Sequence, residues 1–231
     1  MTRSTLRFGL LALPIVSIIV PMSAVAQTRD RAPVSLPSSS RMSQDKPGGE
    51  NWTYAAPRER FQKYRTVIVD PTVVYQGADA QFDGVAPADR AKFAGVFTEE
   101  LRQELAKSFP APPRAQADTV RVRVTILGAQ TTKGGLATAT RVTPLGFASS
   151  ALKSALGKKG TLTGSVLYAV ELYDASTNEL MLAAVRRRTP DPLDIPATLS
   201  TMDTVKAVAR EFADGARKRL EDLTGVQGSR D

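Results

Sequence analysis

TVRVRVTIL, residues 119–127, alternates with period two. Val120, Val122, Val124 and Ile126 fall on one side of an extended chain, and Arg121, Arg123 and Thr125 on the other. Successive side chains of a strand point to opposite faces, so this is a strand with one buried face and one that is at least partly wet. A sheet with one apolar face needs a second layer to cover it.

The covering layer is legible on either side. Upstream, Phe93, Phe97, Leu101 and Leu105 recur every four residues between Pro87 and Phe109. That spacing predicts a helix with one apolar stripe. Pro87 suits its first turn, and Pro110, Pro112 and Pro113 stop it. Downstream, Met202, Val205, Val208, Phe212, Ala216, Leu220 and Leu223 form the stripe of a second helix, Ala197–Leu223, with Gly225 as its stop.

Three further strands are predicted. Tyr64–Tyr75 is β-branched and aromatic, with Pro71 demanding a bulge or an edge position. Leu162–Tyr173 and Glu179–Arg188 flank Asp174–Asn178, whose Asp and Asn suit a turn, so these two make an antiparallel hairpin. The expected fold is α+β: a two-layer sandwich with a mostly antiparallel sheet of about four strands and two long amphipathic helices on one face. It occupies residues 52–225 as a single domain, and 226–231 form a disordered tail.

The N-terminal region reads differently. Arg3 and Arg7 precede an apolar run from Leu10 to Val20, and Ala24-Val25-Ala26 is a small-x-small cleavage signal. Residues 1–26 are therefore expected to be a secretory signal peptide. Residues 27–51, rich in Pro, Ser, Gly and charge, are expected to be a disordered tether. No other stretch is long and apolar enough to span a bilayer.

Composition narrows the chemistry. The 231 residues contain no cysteine and no histidine. An exported chain without cysteine folds without disulfides, and it lacks the thiol on which lipidation at a cleavage site depends. The commonest metal ligands and the commonest general base are absent too. No cofactor is expected. Removing the leader leaves 29 basic residues against 23 acidic ones. Such a balance in the cell envelope suggests anionic neighbours, or a solvated surface; nucleic acid is not expected there.

Catalytic motifs are thin. Ser150-Ala151-Leu152-Lys153 fits S-x-x-K, but neither S-D-N nor K-T-G accompanies it. Gly157-Lys158-Lys159-Gly160 lacks the earlier glycine of a phosphate loop. Asp191 and Asp194 sit among prolines, which suits a solvated turn.

RVTPLGFASSALKSALGKKG, residues 141–160, is small, apolar and basic. No acidic residue occurs between Asp118 and Glu171, while Arg121, Arg123, Lys133, Arg141, Lys153, Lys158 and Lys159 do. Phe147 and Leu152 could cap the open end of the sheet as core. The same segment could instead dock a partner or a second copy, or lie on a membrane surface with its lysines on anionic headgroups. The candidate interaction surface is Arg121, Arg123, Arg141, Phe147, Leu152, Lys153, Lys158 and Lys159.

Taken together, "YRTVIVDPTVVY", a helix ending "FTEELRQEL", "ADTVRVRVTIL", the small-residue insert and "ELYDASTNELMLAAVRRR" before a terminal helix resemble a bacterial family. These are the lipoproteins catalogued as domain of unknown function 3313, and the similarity runs from Trp52 to Leu223. It implies outer-membrane anchoring, from which this chain departs for want of cysteine, and it transfers no catalytic residue. The expected role is an exported, non-enzymatic periplasmic accessory or binding protein, not lipidated, meeting an envelope protein or an anionic envelope surface. The alternatives are an envelope-polymer hydrolase using Ser150 and Lys153, or a homo-oligomeric structural protein.

Overall fold

The computed structural model describes residues 35–46, 51–131, 164–191, 197 and 199–228. The leader and the insert 141–160 lie outside the described residues.

Among the described residues eight strands form one mixed sheet: β1 (Ser43–Gln44), β2 (Trp52–Ala55), β3 (Thr66–Val69), β4 (Val73–Val74), β5 (Gln81–Asp83), β6 (Thr119–Gln130), β7 (Ser165–Asp174) and β8 (Leu180–Arg188). Helix α1 (Pro87–Ala106) follows β5, and α2 (Thr201–Thr224) follows β8. The order is β1-β2-β8-β7-β6-β3, with β4 and β5 also on β6. The class is α+β as expected, but the sheet is twice the expected size.

The extra strands have a physical origin. β3, β4 and β5 all run parallel to β6, against Thr119–Val122, Thr125–Ile126 and Gly128–Gln130 in turn. They are pieces of one edge line. Pro71 breaks it between β3 and β4, as a residue without an N–H must. At the other edge β2 pairs antiparallel with β8, Trp52 opposite Val185 and Tyr54 opposite Ala183, and β1 pairs with β2. The ordered chain thus reaches back into 35–46, a segment whose composition alone suggests a tether.

The predicted hairpin is present: β6, β7 and β8 are antiparallel neighbours. The β7–β8 turn is held by Asp174, whose Oδ1 accepts from the backbone N–H groups of Ser176 (2.9 Å) and Thr177 (3.0 Å). Asn178 takes φ 58°, a left-handed conformation that asparagine tolerates. The alternation of β6 is interrupted once. The register with β7 shifts between Ile126 and Gly128, so an extra residue is accommodated there. Gly128 is required at this point, because a Cβ would lie 2.4 Å from the carbonyl oxygen of Gln81 on β5.

Both helices lie on the face bearing Val120, Val122, Val124 and Ile126. Phe93, Phe97, Leu101 and Leu105 of α1 join Val205, Val208, Leu220 and Leu223 of α2 and the inner side chains of β6 and β7 in one core. Ser200 caps α2 by accepting from the N–H of Asp203 at 3.1 Å, and Gly225 ends it at φ 72°. Arg217 binds α2 to α1 through Glu104 (2.7 Å) and to its own helix through Glu221 (2.8 Å) and Asp214 (3.0 Å).

The opposite face is not simply wet. Leu36 and Met42 from the N-terminal segment pack with Tyr75, Leu127, Leu167, Ala183 and Val185 into a second cluster, and Trp52 and Tyr54 lie against it.

Candidate functional site

The two helices are centred on β6 and β7, while the sheet continues through β8 to β2 and β1. The inner face beyond the helices is therefore only partly covered. A groove of about 640 Å³ runs there, between α2 on one side and β8 with β2 on the other. Its strand residues include those that alternation aims inward, Tyr168 and Val170 of β7 and Leu182, Ala184, Arg186 and Arg188 of β8, together with Thr53 and Ala55 of β2. Its helix wall carries Glu211, Phe212, Asp214, Gly215, Ala216 and Arg219.

The groove has an apolar floor and a charged end. At its back Phe97, Tyr168 and Phe212 pack as a triad, with ring centres 4.8 Å apart for Tyr168 and Phe212 and 5.6 Å for Phe97 and Tyr168. A second space of about 100 Å³ opens off the same floor, sharing Val170, Leu182, Phe212 and Ala216, and is walled by leucines including Leu105, Leu220 and Leu223. Phe212 and Ala216 belong to the apolar stripe of α2, yet they stay half-buried because they line the groove.

At the charged end Arg186 and Arg188 are two apart on β8 and share a face. The Arg186 side chain is 21% exposed; it donates to the carbonyl of Trp52 at 3.3 Å and lies 3.4 Å from a carboxylate oxygen of Asp45. Burial, and then the neighbouring charge of Arg188, work against its protonated form and lower its pKa despite Asp45. Burial pushes the Tyr168 phenol up, and Arg188 pulls the other way. The acids of the helix wall are differently placed. Asp214 is engaged by Lys218 at 2.8 Å and Arg217 at 3.0 Å, while Glu211 is exposed.

The arginines singled out from the sequence lie on the outer face. Asp70 receives Arg121 at 2.5 Å and Arg123 at 3.1 Å, so the two share one carboxylate. The Arg123 guanidinium also stacks 4.6 Å from the ring centre of Tyr173, whose phenol is pushed up to about 12 by burial and by Glu171. Asp70 was visible in the sequence beside Pro71, but its pairing with β6 depends on the parallel register of β3. Arg141, Phe147, Leu152, Lys153, Lys158 and Lys159, like Ser150, lie outside the described residues. Asp191 is exposed, and Asp194 lies outside them.

Arg186, Arg188 and Tyr168 were not singled out by sequence reasoning, and Phe212 was read only as part of the apolar stripe of α2. The run Arg186-Arg187-Arg188 reads as the solvated end of a strand. Its one usable signal is the spacing of two, which separates Arg186 and Arg188 from Arg187. Arg187 faces the other way, toward Gln81 at 2.6 Å and Ser165 at 3.1 Å.

Among the described residues no group of three or more acids could hold a metal ion, and no helix is long and apolar enough to cross a membrane. Fold and groove define an α+β protein whose helical layer leaves part of one sheet face open. The chain belongs to the family described as Protein of unknown function (DUF3313), whose model matches residues 35–216. The resemblance drawn from the sequence is borne out, and the match starts earlier than Trp52, at the point where the described chain begins. No curated protein matches. Among solved structures, a PelC dodecamer from Paraburkholderia phytofirmans is similar at 11% identity, covering 74% of this chain and 95% of that one, with a TM-score of 0.36. A DUF4136 family protein from Bacteroides thetaiotaomicron is similar at 11% identity, covering 75% and 96%, with a TM-score of 0.34.

Proposed function

We propose that this chain is an exported, non-enzymatic accessory protein of the cell envelope that works by binding, through the groove between α2 and β8–β2. Export is supported by Arg3, Arg7, the apolar run Leu10–Val20 and Ala24-Val25-Ala26. The observation that carries the binding role is the groove itself: half-buried aromatic and aliphatic side chains beside two arginines, on a sheet face that α1 and α2 leave open. Concave sites of this size, mostly apolar with a few convergent polar groups, are where ligands and partner segments bind.

The test uses two glycines. Gly215 lines the groove and Gly95 lies on the exposed side of α1, and a Cβ at either would meet nothing within 4 Å. A photo-crosslinking side chain is placed at each in turn in living cells, with fractionation of the product. The reading expects the chain in the envelope fraction and a discrete adduct from position 215 that position 95 does not give. Retention in the cytoplasm, or identical adducts from both positions, overturns it.

A further inference from the structure

We propose that the groove is a binding site for a free single-chain anionic amphiphile, a long-chain carboxylate, with its hydrocarbon chain on the Tyr168–Phe212 floor and its head at Arg186 and Arg188. The inference rests on the binding role proposed above and names the ligand class.

The floor selects an apolar chain. The space of about 100 Å³ beneath Phe212 and Ala216 is walled by Leu105, Leu220 and Leu223, with Arg219 as its one charged neighbour. A polar group placed there would lose water without gaining a partner. A methylene chain loses nothing, and it gains for each stretch of apolar surface it covers. Together with the 640 Å³ groove, the space lies within the range of small-molecule sites, roughly 300–1,000 Å³.

The charged end selects the head. Arg186 is mostly buried, with Asp45 as its carboxylate neighbour at 3.4 Å. Among the described residues no carboxylate is within ion-pair distance of Arg188. Burial and the neighbouring charge of Arg188 both disfavour the charge on Arg186. A carboxylate between them relieves both, and a guanidinium presents the parallel donors that a carboxylate accepts. Asp214 does not compete, being held by Lys218 and by Arg217. Glu211, the remaining acid of the wall, is exposed and among the described residues pairs with neither arginine, though its charge reaches Tyr168.

Among the described residues, the surroundings favour a free amphiphile over a lipid presented in a bilayer. Insertion into a membrane needs an apolar collar around the mouth. The large hydrophobic side chains exposed among the described residues are Val73 and Leu199. Val73 lies on β4 at the far edge of the sheet, and Leu199 precedes α2, several turns from Glu211.

The test is a titration of the purified full chain with cis-parinarate, a long-chain carboxylate that fluoresces when shielded from water. The expected result is one saturable site per chain, from which palmitate displaces the probe, methyl palmitate does so at least tenfold less well, and acetate not at all. Arg186→Gln with Arg188→Gln is expected to weaken binding at least tenfold, with melting as the check on folding. Arg188→Gln alone, at an exposed side chain, and Gly215→Leu, which projects into the groove from an open position, keep the test decisive if the double variant does not fold. Absence of saturable binding overturns the proposal, as does equal displacement by the ester, or undiminished binding by folded groove variants. Co-sedimentation with phosphatidylglycerol vesicles without uptake of the probe also overturns it, in favour of a membrane surface. If the amphiphile fails while the adduct from position 215 persists, the ligand class is wrong and the binding role stands. If both fail, both readings fall.

Discussion

Asp174 shows how one residue fixes a turn and ties distant parts of the chain together. Its side chain is 3% exposed, and it accepts from Lys63 Nζ (2.5 Å), Tyr64 Oη (3.0 Å), and the N–H groups of Ser176 and Thr177. Burial alone would raise its pKa. The hydrogen bonds from Lys63, Ser176, Thr177 and Tyr64 outweigh that and hold the carboxyl well below the usual carboxylate range. A pKa lowered on folding stabilises the native state above the unfolded value of about 3.9, and that stabilisation is lost as pH falls toward the folded value. Urea unfolding should therefore show Asp174→Asn less stable than the parent by about 2 kcal/mol at pH 7. The gap should close as pH drops below about 4. A gap that stays constant between pH 7 and pH 3 would mean the charge contributes nothing. The turn was legible in Asp174 and Asn178. Its partners Lys63 and Tyr64 were not, because they lie more than a hundred residues away and nothing local marks them.

Among the elements, α2 followed its apolar stripe closely, and β6, β7 and β8 followed their alternation or their turn. Periodicity reports one side of an element against the other, which is why these were readable. It is silent on what lies across from that side. Phe212 and Ala216 sit in the stripe like Leu220, yet they face the groove while Leu220 is buried. β1, β2 and β5 are two to four residues long, too short for any period to show. The interior of α2 also carries a correctable weakness. Gly215 is exposed, and a Cβ there meets nothing within 4 Å. Gly215→Ala removes the entropic cost of a helical glycine and should add up to about 1 kcal/mol. In a domain of this size that raises the melting temperature by roughly 2–4 °C in calorimetry. No rise would show that α2 around Gly215 is already loose in the folded protein.

For the whole molecule, the sheet is wider than its helical layer, and both the groove and the second apolar cluster follow from that. A count of four strands leaves no uncovered face, so the groove could not be read before the strands β2 and β1 were placed. The outer cluster is held partly from outside the predicted domain, by Leu36 and Met42 at 9% and 7% exposure. If that segment is integral to the fold, Leu36→Ala with Met42→Ala should lower stability by about 3 kcal/mol, measured by denaturant titration. If it were a tether, the double substitution would change nothing.

The broken border of the sheet has a further consequence. A chain without disulfides must avoid strand-to-strand polymerisation by the shape of its sheet, since an open row of N–H and C=O groups invites a neighbour's backbone. Here one border ends in the two residues of β1, and the other is cut into β3, β4 and β5, none longer than four residues, with Pro71 in the gap. Among the described residues neither offers a long, straight template, so molecules at high concentration have little backbone on which to grow an aggregate.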